Sequence, residues 1–139
     1  MTRRILVVDD EQPIRESLAR HFRISGMETE TACDGVDAIE KLSKIPYRVV
    51  VSDILMPRMD GIELLRKIRD EWPMTRVIMI TGYVTLENAL ACLRLGADTC
   101  VFKPIQDMEE LHRAVESAFA WHDRWERKLL ELRGFKELS

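Results

Sequence analysis

The sequence predicts an α/β protein built on a single five-stranded parallel sheet with helices on both faces, and three observations carry that prediction. Short apolar runs alternate with amphipathic stretches of helical period five times along the chain, and parallel strands require such crossovers. The runs at residues 5–8, 49–51 and 77–80 are apolar at consecutive positions rather than alternate ones, the pattern of strands buried on both faces. Polar residues of few types (Asp9, Asp53, Thr81, Lys103) follow at the ends of these runs and of a shorter one at 99–102, where an open parallel sheet binds its ligands.

In chain order, Ile5-Leu6-Val7-Val8 reads as a strand ending in Asp9-Asp10-Glu11. Pro13 suits a first helical turn, and Ile14, Leu18 and Phe22 repeat at helical spacing until Gly26. Residues 27–33 alternate weakly and are rich in Thr, as an edge strand would be, before the Asp34-Gly35 turn. Val36, Ala38, Ile39 and Leu42 mark a second helix closed by Pro46. The central strand spans 48–52 and delivers Asp53, and Met56-Pro57 then forces a loop. Ile62, Leu64, Leu65 and Ile68 give a third helix ending before Pro73. The strand at 76–80 ends in Thr81-Gly82, and Leu86, Ala89, Leu90 and Leu93 give a fourth helix stopped by Gly96. Thr99-Cys100-Val101-Phe102 is the last strand and ends in Lys103-Pro104. Right-handed crossovers and two neighbouring, highly apolar early strands favour the doubly wound, flavodoxin-like (βα)5 order 2-1-3-4-5.

At 139 residues, 46% hydrophobic and 32% charged, the chain has the make-up of an ordinary globular domain. A formal net charge of −3 gives no general attraction to nucleic acid or anionic lipid. No direct nucleic acid or membrane contact is expected. The first apolar run is too short for a signal-peptide core, so the expected location is cytoplasmic. Cys33, Cys92 and Cys100 lack CxxC spacing and read as reduced, buried fillers. His21, His112 and His122 read as helix-surface residues.

Three carboxylates converging at strand ends repel one another and must hold protons or share a cation. Oxygen-only donors favour a hard ion, and Mg²⁺ suits a few carboxylates with several waters. Asp10 and Asp53 are the expected direct ligands, with Asp9 reaching the ion directly or through water. With Lys103 as a fixed cation and Thr81 as a hydroxyl donor, the set has what phosphoryl transfer to the Asp53 carboxylate requires.

With these residues in place the chain resembles the receiver family of two-component response regulators. The matching pieces are Leu6-Val7-Val8-Asp9-Asp10-Glu11, Ser52-Asp53-Ile54-Leu55-Met56-Pro57, Met59-Asp60-Gly61, Thr81-Gly82, Leu95-Gly96-Ala97-Asp98 and Lys103-Pro104. Together they cover about residues 4 to 120. The resemblance implies that Asp53 takes phosphate from a sensor histidine kinase or a phosphotransfer protein, with Asp9 and Asp10 in the Mg²⁺ pocket and the Leu55 carbonyl as a further ligand. It also implies that Thr81 and Lys103 engage the phosphoryl oxygens and relay the change to the surface of the fourth helix, last strand and fifth helix. Such a protein is not an enzyme in the ordinary sense, because it catalyses only its own phosphorylation and dephosphorylation. Cys100 stands where receivers carry an aromatic residue three positions before the lysine, and it is too small for that residue's role. Ile105 stands in place of a common Phe. Leu55 and Tyr83, two residues beyond Asp53 and Thr81, offer no general base to water, which predicts slow self-hydrolysis.

The expected organisation is a receiver over 1–120 and a helical extension over 121–139. Ala118, Trp121, Trp125, Leu129 and Leu132 prolong an apolar stripe to Gly134, so the extension is expected either to fold back on the body or to pair with another copy as a homodimer. The α4-β5-α5 face is a second possible dimer surface. Helix-turn-helix, cyclase and ATPase motifs do not occur in these residues, leaving a stand-alone receiver or one cut ahead of an output domain. An aspartyl-nucleophile phosphatase would place a second acid two residues after its nucleophile, and Leu55 occupies that position. A binding-only receiver would not need the complete polar set.

Overall fold

A computed structural model describes residues 2–82, 85–105 and 107–138. Five strands, β1 (Arg4–Val8), β2 (Glu28–Ala32), β3 (Val49–Asp53), β4 (Arg76–Thr81) and β5 (Thr99–Phe102), alternate with α1 (Gln12–Ile24), α2 (Gly35–Lys44), α3 (Gly61–Glu71), α4 (Leu86–Arg94) and α5 (Glu109–Leu138). All pairings are parallel and the sheet order is β2-β1-β3-β4-β5, as the sequence pattern predicts.

Consecutive apolar strand residues divide between two cores. Ile5, Val7, Val49, Val51, Ile78 and Ile80 meet Leu18 and Phe22 of α1 and Leu111, Val115 and Phe119 of α5. Leu6, Val8, Val50, Val77 and Met79 point the other way, onto Ala38 and Leu42 of α2, Leu64, Leu65 and Ile68 of α3, and Cys92 of α4. Period-two side-chain direction makes an unbroken Val/Ile run the correct sequence for a strand between two helix layers. Each such side chain contributes roughly 1.5–3 kcal/mol by leaving water. At the edge, β2 exposes Glu28 and Glu30.

Side-chain caps start three helices: Asp34, Asp60 and Thr85 accept the backbone N–H of Asp37, Glu63 and Asn88. Gly26 and Gly96 sit at φ +88° and +83° just past α1 and α4, the left-handed turn that ends a helix at little cost in glycine.

The apolar stripe expected on α4 is corrected: Leu86 and Leu93 are exposed, and Cys92 is the side chain that α4 buries. The fourth helix lies against an edge strand, so only a narrow part of its surface meets the core. Cys33 is exposed at the β2–α2 turn rather than buried. His122 is buried rather than on the surface, and its Nε2 donates to the Arg48 carbonyl at 2.8 Å. His21 and His112 face each other across α1 and α5 with Nε2 and Nδ1 3.1 Å apart.

The C-terminal extension does not turn back on itself, and its first turns lie against the body. It continues α5 as one helix of 30 residues, about 45 Å long at 1.5 Å per residue. Its middle is anchored at the starts of β3 and β4. The Arg48 guanidinium pairs with Asp123 and Glu126 at 3.2 and 3.1 Å, and Arg76 stacks over the Trp121 ring at 4.3 Å. Trp125 on the anchor's outer side, and Leu129, Leu130 and Leu132 beyond it, are about half exposed or more.

Candidate functional site

Strand register brings the polar residues together. Val8 is opposite Ser52, Asp53 opposite Ile80, and Thr81 opposite Phe102, so the residues at or just after these positions crowd the carboxyl edge of the sheet. Asp9 follows β1 and is fully buried. Its Oδ1 accepts the Glu11 N–H at 2.9 Å and its Oδ2 accepts the Lys103 ammonium at 3.0 Å. Asp53 is the last residue of β3, one position inside the strand rather than just after it, and is 5% exposed. Its Oδ1 accepts the Ile54 N–H at 2.7 Å and its Oδ2 the Lys103 ammonium at 2.8 Å.

Lys103 therefore bridges two buried carboxylates, with Glu11 a further 3.7 Å from its nitrogen. Asp10 lies at the exposed rim, and carboxylate oxygens of Asp9, Asp10 and Asp53 come within 4.8 Å of one another. Thr81 is buried at the end of β4, where its carbonyl accepts the Lys103 N–H at 2.8 Å. Leu55 projects from the β3–α3 loop and is half exposed. Tyr83 lies outside the described residues.

The electrostatics follow from burial. Desolvation raises the Asp9 pKa above the ordinary aspartate value, although the Glu11 N–H and Lys103 oppose it and the Asp53 charge adds to it. Desolvation would lower Lys103, but its bonds to Asp53 and Asp9 hold it above the ordinary lysine value. The ammonium stays charged and offsets two negative groups. A set of three clustered oxygen acids with no nitrogen or sulfur donor fits Mg²⁺.

The loop leaving Asp53 is tight. Gly61 N–H donates to the Ile54 carbonyl at 2.7 Å and Met59 N–H to Pro57 at 2.8 Å. A Cβ on Gly61 would fall 2.0 Å from the Asp53 carbonyl oxygen, so only glycine lets α3 start this close to the end of β3. Sequence reasoning placed Gly61 in a motif but gave no packing reason for it. It also missed Arg15, whose guanidinium donates to the Asp9 carbonyl at 2.8 Å; no local pattern signals that contact. Cys100 is half-buried against the α2–α4 side, and burial, with the neighbouring Cys92, pushes its thiol up to about 11.

Fold and site together define a doubly wound α/β domain with a lysine-bridged acidic pocket at the sheet's carboxyl edge. The chain belongs to the response regulator receiver domain family, whose pattern it matches over residues 5–116. It is 42% identical over 115 residues to the regulatory protein AtoC of Escherichia coli K12, covering 83% of this chain and 25% of that protein. It is 38% identical over 111 residues to the response regulator MprA of Mycobacterium ulcerans, covering 80% and 47%. The chain thus spans between a quarter and about half the length of these relatives.

Among solved structures, a CheY-like receiver domain protein from Methanospirillum hungatei superposes with a TM-score of 0.83 at 31% identity over 89% of this chain and 99% of that one. The beryllofluoride-activated NtrC4 receiver domain dimer gives 0.80 at 31% identity over 86% and 98%. The protein is a receiver domain of a two-component response regulator. No helix among the described residues is long and apolar enough to cross a membrane.

Proposed function

We propose that Asp53 is the phosphoacceptor of a phosphorelay and that its donor is the phosphohistidine of a sensor kinase or phosphotransfer protein. The single observation that carries this reading is the Lys103 bridge between Asp53 and Asp9, with Asp10 at the open rim. An Asp53 carboxylate oxygen attacks phosphorus, the N–P bond to the donor imidazole breaks, and the freed ring nitrogen takes up a proton. Asp9 and Asp10, with Asp53 itself and the Leu55 carbonyl, would hold a Mg²⁺ ion, which supplies charge neutralisation for the transferring group. Lys103 neutralises a further phosphoryl oxygen, and the Thr81 hydroxyl donates to another. The chain acts on itself and turns over no separate substrate. We place the receiver in residues 1–120, with 121–139 as its helical extension, in the cytoplasm.

The readout is a shift in population of two packings of the α4-β5-α5 surface. Exposed Leu86, Leu93 and Phe102 on that surface support the reading, because apolar groups held in water favour a state or partner that covers them. The exposed Trp125, Leu129 and Leu132 support pairing of two copies through the α5 extension. The exposed Leu55 gives water no base at the pocket's edge, which supports a long-lived acyl phosphate.

The test is intact mass after incubation with acetyl phosphate or phosphoramidate and Mg²⁺, for the wild type and Asp53→Asn. One added phosphoryl group, lost in the variant and in EDTA, is expected. A wild type that gains no mass under any of these conditions overturns the proposal.

A further inference from the structure

Arg58 is the one non-glycine residue with positive φ (65°) among the described residues. It sits in the β3–α3 loop between Asp53 and Gly61, where glycine or asparagine would adopt the left-handed conformation with less strain. An arginine there needs a compensating contact, and one is present. Its Nε donates to Asp34 Oδ2 at 2.7 Å and its Nη2 lies 2.6 Å from the same oxygen. Asp34 is buried, and its Oδ1 caps α2 by accepting the Asp37 N–H at 2.9 Å. Burial alone would raise the Asp34 pKa, but the Asp37 N–H and the Arg58 guanidinium hold it below the usual carboxylate range.

A second contact runs in parallel. A Cβ on Gly35 would fall 2.7–2.8 Å from Met59 side-chain atoms and 2.8 Å from its carbonyl oxygen, so the start of α2 presses directly on the residue after Arg58. The loop is thereby held at three points: by Gly61 under Asp53, by Gly35 under Met59, and by Asp34 on Arg58. Only the third is a side-chain contact that can be removed without rebuilding backbone.

We propose that Arg58 is a positioning residue for the metal-facing loop: its ion pair with Asp34 fastens residues 54–60 to the N-terminus of α2 and so sets where the Leu55 carbonyl points. The inference rests on the acidic-pocket reading of Asp9, Asp10 and Asp53. Groups behind metal ligands fix ligand orientation, and losing one weakens metal binding by about tenfold or more. The Arg58 guanidinium is largely exposed and the carboxylates of the pocket lie elsewhere, so the pair acts through loop geometry and not as a ligand.

The experiment is a Mg²⁺ titration followed by backbone amide NMR shifts of residues 9–11 and 53–55, with thermal unfolding in EDTA alongside. The variants are Arg58→Ala, Arg58→Gly, Arg58→Lys and Asp34→Asn. Arg58→Ala and Arg58→Gly are expected to bind Mg²⁺ about tenfold more weakly. Arg58→Gly is nevertheless expected to unfold at or above the wild-type temperature, because glycine releases the left-handed strain. Asp34→Asn keeps the cap acceptor and is expected to match Arg58→Ala in Mg²⁺ affinity, and Arg58→Lys to recover most of the loss. A merely structural Arg58 would change unfolding temperature and leave Mg²⁺ affinity alone. Wild-type binding that all four variants reproduce within twofold overturns the clamp alone. A wild type with no saturable Mg²⁺ binding overturns the acidic-pocket reading, and the clamp with it.

Discussion

Replacing Lys103 with methionine keeps an unbranched side chain only one atom shorter and removes its charge, which isolates the role of the ammonium between Asp9 and Asp53. In the wild type that ammonium lies 3.0 and 2.8 Å from the two carboxylates, and neither aspartate is more than 5% exposed. Without it, two buried like charges face each other, with the Glu11 and Ile54 N–H groups still donating to them. Removing one partner of a buried ion pair costs about 3–5 kcal/mol, and the open rim at Asp10 lets water reach one side, so about 3 kcal/mol applies here. Unfolding entropy of about 2.1 cal/mol/K per residue gives about 0.3 kcal/mol/K for 139 residues, and the expected drop in Tm is about 10 °C at neutral pH in EDTA.

The deficit is expected to depend on conditions in two ways. Asp9 already has a pKa raised by burial, and loss of the ammonium raises it further. A carboxyl with a raised folded pKa contributes stability that is full below its unfolded value near 4 and is lost as pH rises through the folded value. The variant's deficit therefore shrinks toward pH 5. If the pocket holds Mg²⁺ as proposed, saturating ion is expected to shrink it as well, with the variant gaining more from the ion than the wild type does. Thermal unfolding followed by far-UV circular dichroism, in EDTA and in Mg²⁺ at pH 7 and pH 5, checks all of this. A deficit that stays constant across those four conditions would refute the charge argument and leave Lys103 a packing residue.

Two further predictions concern residues away from the pocket. Burial, with the charges of Arg48 and Arg76, lowers the His122 pKa against the opposing Arg48 carbonyl bond and Asp123; its stabilisation is therefore full above the unfolded value near 6.5 and is lost as pH falls through the folded value. His122→Gln can keep the bond to Arg48 without titrating, and in urea unfolding it is expected to lose less stability than the wild type between pH 7.5 and 5.5, by up to about 1 kcal/mol; an equal loss in both proteins contradicts this. In thiol labelling of the native protein near pH 8, Cys33 is expected to react quickly. Cys92, buried, and Cys100, with its thiol pushed up to about 11, should react only on unfolding, and two fast thiols would contradict that.

The fold was legible because its strongest signals are local. Three consecutive valines at 49–51 read as a strand with both faces covered, and the two cores receive them alternately. The convergence of the polar residues was legible for the same reason, since Asp9, Thr81 and Lys103 stand directly after an apolar run, Asp53 one serine beyond one, and parallel register does the rest. The α4 stripe was misread because periodicity tells which residues share a face but not how much of that face a neighbour covers. At a sheet edge the answer was Cys92 alone.

The anchor of α5 was hidden by a different asymmetry. Arg48 and Arg76 stand at the starts of β3 and β4, where a charged residue before an apolar run reads as an ordinary solvent-facing flank. Their partners Asp123, Glu126 and Trp121 lie in another helix some 45–78 residues away. His122 carried no signal either, because a histidine between Trp and Asp on a charged helix resembles a surface residue until the Arg48 carbonyl takes its Nε2 proton as a hydrogen bond. Both ends of β3 and β4 therefore hold polar constellations. The carboxyl-end set consists of residues whose burial needs a chemical reason, weak signals singly that point to a site because they recur in order at successive strand ends. The amino-end set consists of residues unremarkable singly, whose meaning exists only once the tertiary fold has paired them.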